Sequence, residues 1–430
     1  MKILIIGAGA SGLMAGKHLA AAGYEVTILE ARDRIGGRIH SFSHNDLTLE
    51  GGAEFIHGNL PLTLDLLKEA GIGYHKIDGA MWKSLEGEWE KSSEAFENEE
   101  LVKRKLEALT ENISIQEFLD KEFSEPKHEG IRNSVLSYIE GYYAGDPSKA
   151  SALKFYKEWQ SEDEENYRIE GGYGKIIEFL ADRILEKNGR IITGTIVKKI
   201  QWQKDAVTAI DQDGNEYAAE KVIITIPAGV WQNNEEAAIA LEPTIPRIQH
   251  QMNRLGFGSV IKILLEFEHA FWCSEPIRER IQADTTKLGF IFSSENIPTF
   301  WTQYPKSSTI LTGWVAGPNA LHFSTKPPEV IGAEALRSLS NIFSIDVVIL
   351  EQWLKWYQVF DWPADPFTKG GYSYSITTTE EAQAQLLQPI ERTIYLAGEA
   401  LYTGTETGTV EAALTSGLFT AQKVMSDSHS

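Results

Sequence analysis

The chain has 430 residues, 42% apolar and 23% charged, with a formal net charge of −21. That length predicts two or three domains around a sizeable core, and the ordinary composition excludes wholesale disorder and collagen-like repeats. A single cysteine, Cys273, excludes an internal disulfide framework and gives no sign of an oxidising compartment, while 61 acidic against 40 basic side chains argue against nucleic acid and for a cationic partner.

No run approaches the roughly 18 consecutive apolar residues of a membrane span. The first residues lead straight into a strand pattern, without a basic, cleavable leader. No membrane segment and a cytoplasmic location are the expectations.

In chain order, residues 3–6 are an apolar run, followed by Gly7, Gly9 and Gly12, a helical pattern stopped at Gly23, and a second apolar run at 26–29 ended by Glu30. This is strand, glycine turn, helix, strand: a βαβ unit. Residues 33–58 are Gly-rich and read as loop, and 61–70 as a short helix. From 80 to 170, charge runs such as Glu94 to Lys105 and Glu158 to Glu165 have helical spacing and predict solvated helix faces. Strands are predicted over 190–212, with a hairpin turn at Asp213-Gly214, and over the apolar run Val222 to Ile226. Residues 259–267 and 308–316 read as strands of a second sheet, 330–343 as a helix, 393–397 as a strand and 410–425 as a final helix.

The Gly7-x-Gly9-x-x-Gly12 pattern carries chemistry in this context. The first glycine permits the turn, the second lets backbone approach a pyrophosphate, and the third allows close helix packing. The helix start then offers free N–H groups to the anion, with Glu30 placed to accept from a ribose hydroxyl. Arg32-Asp33-Arg34-Ile35-Gly36-Gly37-Arg38 adds a second glycine turn and guanidinium groups suited to phosphate. No metal centre is expected, and no Gly-x-Ser-x-Gly elbow occurs.

With this Gly-Gly-Arg box the chain resembles the flavin-containing amine oxidase superfamily, the monoamine and polyamine oxidases. The segment Glu50 to Gly58, ending Ile56-His57-Gly58, is similar to the one that passes the flavin in polyamine oxidases. The Gly398-Glu399 and Thr407-Gly408-Thr409-Val410 motifs resemble the C-terminal FAD signature, and Trp362 with Gly370-Gly371-Tyr372 the aromatic wall before the flavin. The resemblance implies an α/β (α+β) fold: a Rossmann-like FAD-binding domain of the glutathione-reductase-like type with an inserted substrate domain of mixed sheet plus helices. It implies a discontinuous FAD domain over 1–78, 168–228 and 388–430, and a substrate domain over 79–167 and 229–387.

The same resemblance implies site residues. FAD contacts fall to Gly7, Gly9, Ala10, Ser11, Gly12, Glu30, Ala31, Arg32, Gly36, Gly37, Arg38, Gly52, Ala53, Glu54, Val197, Trp362, Gly398, Glu399, Thr409 and Val410. His57, Tyr372 and Thr405 fall to the substrate. His57 is read either as touching the amine or the flavin edge, or as a hydrogen-bonded packing residue. Lys262, alone in an apolar strand, is implied to hold a water at flavin N5; on pattern alone it reads as a snorkelling surface lysine. Tyr372 stands where monoamine oxidases carry the cysteine that attaches FAD, so the cofactor is expected to be non-covalent. Cys273 reads as a packing residue.

The implied activity is FAD-dependent oxidation of an amine C–N bond to an imine, hydrolysed to carbonyl plus amine, with O2 reduced to H2O2. A polyamine or another primary or secondary amine is the expected substrate; the sequence leaves the amine and the oligomeric state open. The alternatives are an L-amino-acid oxidase or FAD desaturase of the same fold, and a non-catalytic relative of the FAD fold. Glu54-Phe55-Ile56-His57 lacks the arginine that an amino-acid oxidase needs for the substrate carboxylate.

Overall fold

The structure is a computed structural model that describes residues 1–85, 87–92, 96–161, 165–233 and 238–428. Parts of the two charge runs, at 94–95 and 162–164, lie outside the described residues. The chain divides into two compact units, one of Met1–His75, Lys157–Phe257 and Asp365–Ser430, the other of Lys76–Tyr156 and Gly258–Ala364.

The first unit is built on a five-stranded parallel sheet in the order Arg190–Ile192, Glu25–Leu29, Lys2–Ile6, Lys221–Ile224 and Ile394–Leu396. Its central strand is apolar and buried from Ile3 to Ile6 because both faces are covered. Ile3 and Ile5 join Leu13, Ile28, Ile184 and Leu414 in one core, whereas Leu4 and Ile6 join Val207, Ala209 and Ile224 in another. The helices Ala10–Ala21, Gly174–Leu185 and Val410–Ser428 supply the first face. A four-stranded sheet that includes Val197–Gln203 and Ala206–Asp211 supplies the second. The predicted hairpin at Asp213-Gly214 is present, with Gly214 at φ 83°. The helix predicted over 61–70 is Pro61–Ala70.

The loop expected over 33–58 is corrected. Ser41–His44 and Leu47–Glu50 form a hairpin, with Asn45 at φ 51° in its two-residue connection. Ile56–His57 pairs antiparallel with Asn166–Ile169. Flanking glycines concealed the short apolar alternation of Phe42 and Leu49.

The second unit centres on a seven-stranded sheet in which Val260–Phe267 lies between Leu354–Asp361 and Ile310–Ala316. The helical reading of 80–91 is also corrected: Ala80–Leu85 and Glu88–Lys91 are antiparallel strands at the sheet's end. Trp82 and Ser84 are buried at alternate positions, and the charges that suggested a helix face lie between them and on the edge strand. The run from Glu99 behaves as expected, an amphipathic helix Glu99–Glu107 burying Val102 and Leu106.

The sheet has two distinct faces. Ile263, Phe300, Val315 and Leu311 pack with Leu336, Leu339 and Phe343 of the Pro328–Phe343 helix. Lys262, Trp314, Phe360 and Thr299 stand opposite one another across four strands and so share the other face.

Candidate active site

In the first unit the two glycine turns meet. Gly7, at φ 106°, donates its N–H to Leu29 O (2.8 Å), and Gly36 N–H donates to Ala8 O (2.8 Å). A Cβ on Gly12 would lie 2.0 Å from Gly7 O, so the helix sits against the turn only with glycine there. A Cβ on Gly9 would meet nothing within 4 Å. Ala10–Ala21 starts without a side-chain cap, and among the described residues the buried Ser11 hydroxyl has no hydrogen-bond partner. Open space beside bare backbone, uncapped N–H groups and an orphan hydroxyl form a donor set for an anionic ligand. They fit the pyrophosphate of a dinucleotide.

Carboxylates and guanidinium groups brace this cradle. Glu30, 5% exposed, accepts from Ala8 N–H (2.8 Å) and Arg32 N–H (3.0 Å). Arg32, which follows Ala31, pairs with Asp365 (2.5 Å) and lies over the Phe367 ring. Arg34 donates to the carbonyls of Ile35, Gly37 and Ile39 and thereby shapes the second turn. Arg38 donates to Gly371 O (2.8 Å) and Glu399 Oε2 (3.1 Å), while Glu399 Oε1 accepts the Ser373 N–H. Gly398, at φ 143°, donates its N–H to the Ser416 hydroxyl (3.0 Å).

The segment Gly52-Ala53-Glu54 follows, with Ala53 N–H on Arg38 O (3.2 Å). Arg168 Nε and Nη2 both donate to Glu54 Oε1, at 3.0 and 2.8 Å, so the Glu54 side chain is committed to a buried ion pair. His57 Nδ1 lies 2.7 Å from Asn166 Oδ1, which makes Nδ1 the protonated nitrogen. Burial lowers the imidazole pKa more than this bond raises it, so His57 is neutral at pH 7. His40 is also held neutral, its pKa lowered to about 4 by burial and by the charges of Arg34 and Arg32.

Tyr372 packs against Gly408, and burial together with the Glu399 charge raises its phenol pKa. Thr405 donates to Glu406 Oε1 (3.2 Å), the carboxylate that also accepts the Tyr402 hydroxyl. The Thr409 hydroxyl accepts the Ala412 N–H (3.1 Å) in the first turn of Val410–Ser428. Val197 is buried at the start of its strand.

Lys262 and Trp362 belong to the second unit. Lys262 is 1% exposed, which excludes a snorkelling surface lysine. Its ammonium lies 5.4 Å from the centroid of the Trp301 ring. Trp362 is buried, and its backbone N–H donates to Val260 O (3.2 Å). Cys273 packs against the core of this unit, and burial raises its thiol pKa.

Arg168, Asn166 and Asp365 had no signal in the sequence. Their partners lie 114, 109 and 333 positions away. No His, Cys, Asp and Glu grouping suited to a metal is found among the described residues, and no described helix is long and apolar enough to cross a membrane.

Comparison with known proteins agrees with this donor set. Polyamine oxidase 4 of Oryza sativa subsp. japonica is 26% identical over 470 residues, covering 98% of this chain and 88% of that protein. Lysine-specific histone demethylase 1 homolog 3 of the same source is 25% identical over 98% of this chain, which spans only 54% of that protein's length. Wild-type putrescine oxidase bound to putrescine superposes with a TM-score of 0.79 at 20% identity, covering 99% of both chains. The family model for flavin containing amine oxidoreductase matches residues 10–77 and 74–425. The chain therefore belongs to the flavin-containing amine oxidoreductases and is an FAD-dependent enzyme acting on amines.

Proposed function

We propose that the enzyme oxidises an aliphatic diamine or polyamine, uses dioxygen as acceptor and holds FAD without a covalent bond. The observation that carries this reading is the pair of facing glycine turns, closed by Arg38, Glu399 and the Ser373 N–H. The similarity to a polyamine oxidase over almost the whole chain supports the substrate class.

In this reading the first unit holds the cofactor and also carries His57, Tyr372 and Thr405 on the amine side. Gly9, Ser11 and the first turn of Ala10–Ala21 bind pyrophosphate, Glu30 the ribose, and the backbone beside Val197 the adenine. The start of Val410–Ser428 faces the flavin, where its N–H dipoles stabilise negative charge. Bound FAD supplies the two-electron chemistry. The amine gives up two electrons, one α-hydrogen and one N–H proton; the resulting imine takes up water and leaves as carbonyl and amine, and O2 with those two electrons and two protons gives H2O2.

The chain's own residues orient and select. Tyr372 and Trp362 supply flat apolar surface. Thr405 and His57 line the amine side, and a neutral His57 does not repel an ammonium. The buried Lys262 ammonium stabilises negative charge as oxygen is reduced. A cytoplasmic location, the expectation from the sequence, completes the proposal; cell fractionation tests it.

Purification and acid precipitation test the cofactor. A yellow protein that releases all its flavin into the supernatant is expected. Colour retained in the washed pellet would mean a covalent link, and a colourless protein that does not take up FAD would remove the reading.

A further inference from the structure

Glu158 is a buried carboxylate, 4% exposed, that the proposed chemistry does not use. It lies in the helix Ala152–Ser161 and in the same compact unit as the candidate FAD site. A charge taken out of water is costly unless donors surround it. Two do so on one atom: Glu158 Oε1 accepts the Ser375 hydroxyl at 2.7 Å and the Thr407 hydroxyl at 3.0 Å.

These two hydroxyls belong to different segments. Ser375 closes the stretch that begins at Gly370 and carries Tyr372. That stretch is held at its other end by Arg38 on Gly371 O and by Ser373 N–H on Glu399. Thr407 belongs to the turn that starts the last helix. Its neighbour Gly408, at φ 76°, runs so close to the aromatic segment that a Cβ would lie 2.9 Å from Tyr372 Cδ2 and 3.1 Å from Ser373 O. The next residue, Thr409, caps the helix that begins at Val410.

We propose that Glu158 is a positioning residue, whose carboxylate clamps the Tyr372 segment to the turn before the last helix and so fixes where the Tyr372 ring stands. The clamp itself is a property of the fold. Its consequence for turnover rests on the reading that Tyr372 lines the amine site. Without Glu158, Ser375 and Thr407 lose their shared acceptor, and two segments that touch through Gly408 and Tyr372 are free to separate. Glutamine keeps one acceptor oxygen with its two lone pairs, and replaces the charge and the other oxygen with a neutral NH2 donor. Displacing a contact group by about 1 Å costs on the order of 10²-fold in rate.

Hydrogen exchange of the FAD-loaded and FAD-free protein, read on peptides spanning 370–376 and 403–409, tests the clamp without reference to catalysis. Glu158→Ala is expected to raise exchange in both peptides together, by about tenfold or more in the apo protein, with Glu158→Gln close to wild type. Ser375→Ala and Thr407→Val, which leave the carboxylate in place, should each loosen mainly their own segment and serve if Glu158→Ala does not fold. Unchanged exchange in Glu158→Ala, or loosening of one peptide alone, would overturn the clamp. In turnover, Glu158→Ala should lower kcat by about 10- to 100-fold and Glu158→Gln by no more than about threefold. Equal losses for Gln and Ala, confined to KM for diamines, would mean that Glu158 binds substrate charge and is not a positioning residue. Loosened peptides with unaltered kcat would uphold the clamp and remove Tyr372 from the amine site.

Discussion

Arg38 and Glu399 are 361 positions apart, yet Arg38 Nη1 lies 3.1 Å from Glu399 Oε2. The ion pair joins the Gly-Gly-Arg turn to the loop before the last helix, two segments that both carry proposed FAD contacts. Glu399 is 4% exposed, so its charge depends on these donors. Arg38→Met keeps much of the apolar stem and removes the donor. It should raise the Kd for FAD by about 10- to 100-fold, since an unsatisfied buried acceptor costs roughly 1–3 kcal/mol. Reconstitution of the apo protein, followed by flavin fluorescence, gives the value. An unaltered Kd would detach this pair from the cofactor site.

Two neutral histidines give acid sensitivity a definite sign. The folded-state pKa of His40 is lowered to about 4 and that of His57 is also lowered, both mainly by burial. An unfolded chain has histidines near 6.5. Between those values the unfolded state binds more protons, so the contribution is fully present above about pH 6.5 and is lost as pH falls toward the folded-state pKa. Urea denaturation at pH 7 and pH 5 should therefore show a smaller stability difference in His40→Gln than in wild type. An identical difference would mean that His40 titrates normally in the folded protein.

Lys262→Met preserves length and removes a buried charge. The flavin-oxidising half-reaction with O2 should slow by about 10²-fold or more, the size of losing one preorganised electrostatic group. The amine half-reaction should change by less than about tenfold, or ~1.4 kcal/mol, because a neutral reacting amine gains little from a nearby cation. Stopped-flow measurement separates the two. Equal loss in both would make Lys262 a packing element against Trp301, and unchanged reoxidation would free it from the oxygen reaction.

Much of the first unit was legible because its signals are local. Gly7, Gly9 and Gly12 follow a strand buried on both faces, and Pro61 and Gly71 bracket a helix of the expected bounds. The hairpin at 41–50 and the strands at 80–91 were hidden because glycine density and exposed charge masked short period-2 patterns. The supports of the site were not legible at all. Arg168 on Glu54, Asn166 on His57 and Glu158 beneath the Tyr372 segment are tertiary contacts between distant segments, and no local periodicity encodes them. Lys262 carried an intermediate signal: a lone cation in an apolar strand is conspicuous, but only burial distinguishes it from a surface lysine.

The most direct test of the proposed function is anaerobic titration of the flavin with a panel of an aliphatic diamine, a linear polyamine, an aromatic monoamine and an α-amino acid, read as bleaching of the visible flavin band. The expected result is rapid bleaching by the diamine or polyamine, with a rate constant per concentration at least about tenfold above that of the monoamine, a preference of ~1.4 kcal/mol, and no bleaching by the amino acid. Bleaching by the α-amino acid, or by the aromatic monoamine in preference to both aliphatic amines, would contradict the assignment.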